Sequence, residues 1–270
     1  MNMASIPPRL RGILKSDGRC LTVALDHGMV HGPARGLENP DELIGLLIEA
    51  GADALMVSYG TLKRSGHLLR GRIPVIARID GGPSLHTGVW REYDDWRLLF
   101  DVEDAAALGA DAVVVMHFVG APVEMDTLQN MVEAVAQCQR AGLPLLVEAL
   151  PCPHPNIPNI FDPAMIALVA RIAAEYGADF VKTTYSGDPD SFRTVVRGAT
   201  VPVLVLGGER MHTDRAALEL THGAIAAGAA GIVMGRNIWQ APDPAGMVRA
   251  LRAIIHDSAD VDAAVALVRR

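Results

Sequence analysis

The stretch Gly177-Ala-Asp-Phe-Val-Lys182-Thr-Thr-Tyr-Ser-Gly-Asp188 carries the reading of the fold. A glycine stops a helix, an alanine lets the chain turn closely into a strand, and a short apolar run ends in a polar loop. Gly-Ala-Asp stands in the same place at 51–53 and 109–111, and Gly228-Ala-Ala-Gly takes that place once more. Working outward from residue 177, eight apolar runs span the chain. They are Cys20–Leu25, Ala52–Val57, Ile73–Ile79, Ala112–His117, Leu143–Leu150, Asp179–Thr184, Val201–Leu206 and Gly231–Gly235.

Longer amphipathic segments alternate with these runs, among them 41–50, 102–108, 127–141, 163–176, 189–197, 214–227 and 244–255. Runs that are apolar at nearly every position fit strands covered on both faces, as in a parallel sheet. Eight strand–helix units in 270 residues predict an α/β chain folded as a TIM (β/α)8 barrel, one domain over residues 1–270. A helix is expected over 5–16 and another over about 258–269, the latter packed outside the barrel or against another subunit. An open doubly wound sheet is the alternative, weakened because no Gly-x-Gly-x-x-Gly follows the first run.

Half of the residues are hydrophobic and the net charge is -7, which suits a full core and argues against a nucleic-acid binder. Residues 1–8 lack the charged and apolar regions of a signal peptide, and no apolar stretch reaches the length of a membrane span. Cys20, Cys138 and Cys152 are too few and too scattered for a disulfide framework or a zinc motif. A cytoplasmic location is the expectation.

The chemistry is read from the strand ends, where such barrels place it. Lys182 is one of three lysines against 21 arginines, and it follows Phe180 and Val181 into an apolar run. An ammonium is costly to desolvate, and burial favours the neutral amine that attacks a carbonyl. The competing reading is a lysine that snorkels or pairs with a carboxylate. Asp26 closes the first run beside His27 and His31, where it could orient hydroxyls or move protons. A metal site at Asp26, His27 and His31 is a minor alternative, because Gly28 and Gly32-Pro33 argue against the helix that would align the two imidazoles. Arg78 and Asp80 are as well read as a structural pair as a binding pair, and His117 as a core histidine. Glu148 shares a strand side with Leu150 and could take a proton or pair with Lys182. Gly207-Gly208 after the seventh run and Gly235-Arg236 after the eighth fit a phosphate cradle.

These residues resemble a known family. Leu25-Asp-His-Gly28 with His31-Gly-Pro33, the stretch 177–189, Leu206-Gly-Gly208 and Gly228-Ala-Ala-Gly-Ile-Val-Met-Gly-Arg-Asn-Ile-Trp-Gln240 are similar to the archaeal-type class I fructose-bisphosphate aldolases. These belong among DeoC/LacD-like aldolases, with 2-amino-3,7-dideoxy-heptulosonate synthase and phospho-autoinducer-2 thiolase relatives. The likeness covers about residues 15–255. It implies a barrel with a Schiff-base lysine at Lys182, Asp26 at the substrate hydroxyls, and a phosphate site at Gly207, Gly208, Gly235 and Arg236. His27 and Tyr185 are expected to touch substrate. It further implies a phosphorylated-sugar substrate, no metal, no cofactor beyond the covalent lysine, and a ring-shaped homo-oligomer such as a pentamer or decamer. One departure stands out. The tyrosine that handles protons in the aldolases and synthases falls at Leu150, leaving Glu148 as its natural substitute, with Tyr185 and His154 behind it. The activity expected is therefore a specialised lyase that cleaves or forms a C–C bond, with dihydroxyacetone phosphate as donor. A synthase or thiolase on the same lysine, or a sugar-phosphate-binding barrel without catalysis, are the alternatives.

Overall fold

A computed structural model describes residues 6–84 and 95–268. The strands are β1 (Cys20–Ala24), β2 (Ala54–Ser58), β3 (Val75–Arg78), β4 (Asp80–Gly81), β5 (Arg97–Leu98), β6 (Ala112–Val119), β7 (Leu145–Pro151), β8 (Phe180–Thr183), β9 (Val203–Leu206) and β10 (Gly231–Met234). Eight of them close a parallel barrel in the order β1-β10-β9-β8-β7-β6-β3-β2. The expected (β/α)8 barrel is what forms, and the doubly wound alternative falls because β1 pairs with β10. Strands β4 and β5 make a small antiparallel ribbon at the barrel mouth. The helices are α1 (Gly28–His31), α2 (Pro40–Ala50), α3 (Tyr59–Leu69), α4 (Val102–Ala107), α5 (Glu124–Ala141), α6 (Pro163–Glu175), α7 (Pro189–Ala199), α8 (Asp214–Ala226), α9 (Arg236–Trp239), α10 (Pro244–Asp257) and α11 (Val261–Val265). Among the described residues no helix is long and apolar enough to cross a membrane.

Side-chain alternation sorts each strand into an inner and an outer set. On β6, Val113 and Val115 pack outward with the helices, while Ala112 and Val114 point inward. Inside the barrel, Met56, Ile76, Val114, Leu146, Phe180 and Leu204 form an apolar layer. Ile6, Leu10, Ile13 and Leu14 join it from the N-terminal segment.

The Gly-Ala-Asp repeats have a structural function that reaches the neighbouring strand. Gly51, Gly109 and Gly177 each take a positive φ that ends a helix. The aspartate then grips a residue at or beside the start of the adjacent strand from both sides. Asp179 Oδ2 accepts the Leu145 N–H at 2.8 Å, and the Asp179 N–H donates to the Leu145 carbonyl at 3.0 Å. Asp111 does the same to Val75, and Asp53 to Leu21. At the fourth site Ala230 keeps only the backbone half, donating to the Val203 carbonyl.

Two expected terminal helices are corrected. Residues 6–16 form a single 3-10 turn at Pro8–Leu10 followed by further turns. Pro7 and Pro8 lack N–H donors and Gly12 favours leaving a helix, so burial of Leu10, Ile13 and Leu14 sets the path. The C-terminal helix is confined to α11, because Ser258 ends α10 at φ 58° and Asp260 starts a new helix by accepting the Ala263 N–H. Residues 5 and 269, the outer limits of those expectations, lie outside the described residues. Against the sequence expectation, residues 28–31 do make one helical turn: the His31 N–H donates to the His27 carbonyl, and Gly32 then leaves the helix at φ 65°.

Candidate active site

Above the apolar layer the inward side chains turn polar. Asp26 follows β1, Arg78 ends β3, Glu148 lies in β7 and Lys182 in β8, and each is almost wholly buried. Glu148 and Lys182 are register partners across parallel strands, which fixes their side chains next to each other. Lys182 Nζ lies 2.6 Å from Glu148 Oε1.

Arg78 is the hub of this layer. Its Nη2 meets Glu148 Oε2 at 2.5 Å, its Nε meets Asp26 Oδ2 at 2.5 Å, and its Nη1 meets Asp80 Oδ1 at 3.0 Å. Asp80 is in turn held by the Trp96 indole N–H at 2.7 Å and the Met116 N–H at 2.5 Å. Three carboxylates thus share one guanidinium, each on a separate nitrogen. Burial alone would raise the pKa of Asp26, but Arg78, with His27 and Lys182, outweighs it and holds the group at about 2. Burial acts on Glu148 in the same sense and is outweighed by Lys182 and Arg78, so its pKa is lowered. At Asp80 burial wins over the same kind of partners and the pKa is raised. His27 is pushed down to about 4, chiefly by burial, so its ring is neutral at neutral pH. Its Nδ1 lies 3.5 Å from Asp26 Oδ1, and its ring meets the Trp239 edge at 5.4 Å.

These groups line an inner pocket of about 70 Å³ that shares Lys182, Glu148, His27, His31 and Arg236 with an outer chamber of about 490 Å³. Gly207, Gly208, Gly235 and Arg236 line the outer chamber. Gly235 is the only residue type that fits its position: a Cβ there would lie 2.5 Å from His27 Cε1 and 2.7 Å from the Ala24 carbonyl oxygen. Buried Asn237 ties the two glycine loops together. Its Nδ2 donates to the carbonyls of Gly207 and Glu209 at 2.8 and 3.0 Å, and its Oδ1 accepts the Met211 N–H. Arg236 is half-buried, and its Nε has no hydrogen-bond partner. Burial lowers its pKa against the opposing charge of Glu209.

Every expected site residue except Tyr185 and the reserve candidate His154 lines one of these two spaces. Tyr185 is a correction. Lys182 and Thr184 face the chamber, so the next residue turns to the helices. Its ring packs edge-on to Phe192 at 5.1 Å, and its hydroxyl sits against Gly223 in α8. His154 also lies elsewhere, beside a surface groove lined by Gly120, Glu124 and Leu168. His117 is buried against Thr127 with its pKa pushed by burial to about 4, as a core histidine would be. Trp96 and Asn237 escaped the sequence reading. Asn237 did carry a signal, since it follows Gly235-Arg236 directly. Among the described residues no group of three or more His, Cys, Asp or Glu side chains is arranged to hold a metal ion.

Known proteins resemble this chain over most of its length. Residues 20–241 match the profile of the DeoC/LacD family aldolases. The chain is 34% identical over 253 residues to the 2-amino-3,7-dideoxy-D-threo-hept-6-ulosonate synthase of Halobacterium salinarum, covering 94% of this chain and 92% of that one. It is 32% identical over 260 residues to the class 1 fructose-bisphosphate aldolase of Thermoproteus tenax, covering 94% and 96%. Among solved structures, an archaeal fructose-1,6-bisphosphate aldolase with its catalytic lysine covalently bound to the carbinolamine intermediate superimposes with a TM-score of 0.82. It is 31% identical, over 92% of this chain and 98% of that one.

Proposed function

The chain belongs to the DeoC/LacD family of aldolases and is a lyase, and from that premise we propose that Lys182 forms a Schiff base with a phosphorylated ketose whose ketone half is dihydroxyacetone phosphate. The observation that carries this reading is the contact of Lys182 Nζ with Glu148 Oε1, 2.6 Å apart in the buried polar layer beside the chamber. Relatives of similar identity include both a synthase and a fructose-bisphosphate aldolase and so favour no single substrate, while the solved aldolase with its catalytic lysine covalently bound to the carbinolamine supports the lysine chemistry.

Lys182 passes a proton to Glu148 and its amine attacks the ketone carbon; Glu148 returns that proton to the carbinolamine hydroxyl, which leaves as water, and an iminium results. The bond beyond the next carbon then breaks, its electron pair flowing to the iminium nitrogen as an enamine. Glu148, aided by Asp26, takes the proton from the hydroxyl of the carbon that leaves as aldehyde. Reprotonation of the enamine carbon and hydrolysis by water return the free lysine. Glu148 next to the iminium favours the positive charge that forms there. Gly207, Gly208, Gly235 and Arg236 would hold the phosphate, so that its binding energy places the carbonyl against the amine. The iminium itself is the electron sink, and no metal or organic cofactor enters these steps.

Borohydride trapping with dihydroxyacetone phosphate, read by intact mass and peptide mapping, tests the proposal. A reduced adduct on Lys182 is expected. Lys182→Ala should show no adduct and lose at least about a thousandfold in cleavage rate while keeping its far-UV circular dichroism. Substantial turnover in that variant would sink the mechanism.

A further inference from the structure

Resting on the lysine reading above, we infer that the aldehyde half of the substrate is uncharged and apolar, a branched aliphatic or aromatic aldehyde rather than a second sugar phosphate. The outer chamber is divided by chemistry. Gly207, Gly208, Gly235 and Arg236, after β9 and β10, supply one part of its lining; Leu150 at the end of β7 and Pro153, Ile160 and Phe161 in the segment that follows supply an apolar part. Lys182 and Arg236 are the only Lys or Arg among the described residues that line this chamber. The first is taken by the ketone and the second by the phosphate of the ketone half. The other ionisable carboxyls on the lining, Glu148 and Glu209, are acidic and repel an anion.

Direction supports the same assignment. Leu150 stands two residues beyond Glu148 on the same side of β7, so a substrate group that runs along the strand from Glu148 toward the barrel mouth meets Leu150. A second phosphate in that position would be stripped of water against carbon, with no Lys or Arg beside Leu150, Pro153, Ile160 and Phe161 among the described residues of the lining other than Lys182 and Arg236. An apolar group gains from burial in the same place. In the condensing direction, the iminium loses a proton from the carbon next to its C=N to Glu148, and the enamine carbon bonds to the aldehyde carbon. The aldehyde oxygen takes that proton back, and water releases Lys182.

The test uses the full chain with dihydroxyacetone phosphate as donor and isobutyraldehyde, benzaldehyde or glyceraldehyde 3-phosphate as acceptor, alongside borohydride trapping. The expected result is an adduct on Lys182 and a kcat/KM for the apolar aldehydes at least about tenfold above that for glyceraldehyde 3-phosphate. Leu150→Asn should raise KM for the apolar aldehydes about tenfold while Lys182 remains trappable. Phe161→Ser, at a half-exposed position, should shift KM in the same direction. An adduct together with a preference for glyceraldehyde 3-phosphate overturns the inference and spares the lysine reading. No adduct removes the lysine reading and this inference with it.

Discussion

Glu148 separates two steps that Lys182 joins. Replacing it by glutamine keeps an oxygen for Arg78 but removes the proton acceptor beside the amine. We expect kcat of Glu148→Gln to fall by about 10² to 10⁴ while borohydride still traps a ketone on Lys182. A variant that traps nothing would instead place Glu148 in iminium formation. The pair was half legible in the chain: the strand alternation that sets Glu148 beside Leu150 can be counted from residue numbers, and the same count applied from Lys182 turns Tyr185 outward. The function of Arg78 was not legible. Its partners Asp26, Asp80 and Glu148 come from three separate segments, and only closure of the barrel brings them to one guanidinium. Sequence spacing shows Arg78 next to Asp80 and nothing of the other two.

At the scale of elements, the barrel strands could be read because each is apolar on both faces, inside and outside alike. Helix α3 could not, since Tyr59–Leu69 carries two glycines and few apolar residues, and its clearest signal is Ser58 capping the Thr61 N–H. The β4–β5 ribbon, two residues per strand, is too short for any periodicity. The repeated Gly-Ala-Asp marked where strands begin but concealed its second function as a clasp on the strand alongside. Asp179→Ala should leave the Leu145 N–H without its acceptor and cost about 1–3 kcal/mol in denaturant unfolding. Gly177→Ala attacks the same motif through its backbone, because φ there is 108°. If Asp179→Ala unfolds at the wild-type midpoint, the clasp is not a source of stability.

For the whole molecule, the end of the barrel opposite the site is fastened by charge. His256 of α10 meets Asp53 Oδ2 at 2.8 Å and Asp17 Oδ2 at 2.7 Å, with Lys15 and Arg252 also facing Asp53. Burial would lower the pKa of His256, but the bonds to Asp53 and Asp17 outweigh it and raise the value. A raised histidine stabilises fully below its unfolded pKa of about 6.5 and loses that contribution as pH rises through the folded value. His256→Gln should therefore cost about 1–2 kcal/mol near pH 6, toward the low end for hydrogen bonds to charged groups because the cluster is partly open to solvent. The difference in Tm between variant and wild type should shrink at alkaline pH; a difference that grows there would refute the linkage. The pairing of Cys20 in β1 with Gly231 in β10 has a further consequence, for how the chain gets to this state. The first strand to leave the ribosome waits for the last before its free edge is paired. Until then two bare strand edges flank the gap, each a template for another copy of the chain. Closing so long a loop is slow, so dilution and haste, more than added denaturant strength, govern how much of a refolding sample returns to the ring rather than to aggregate.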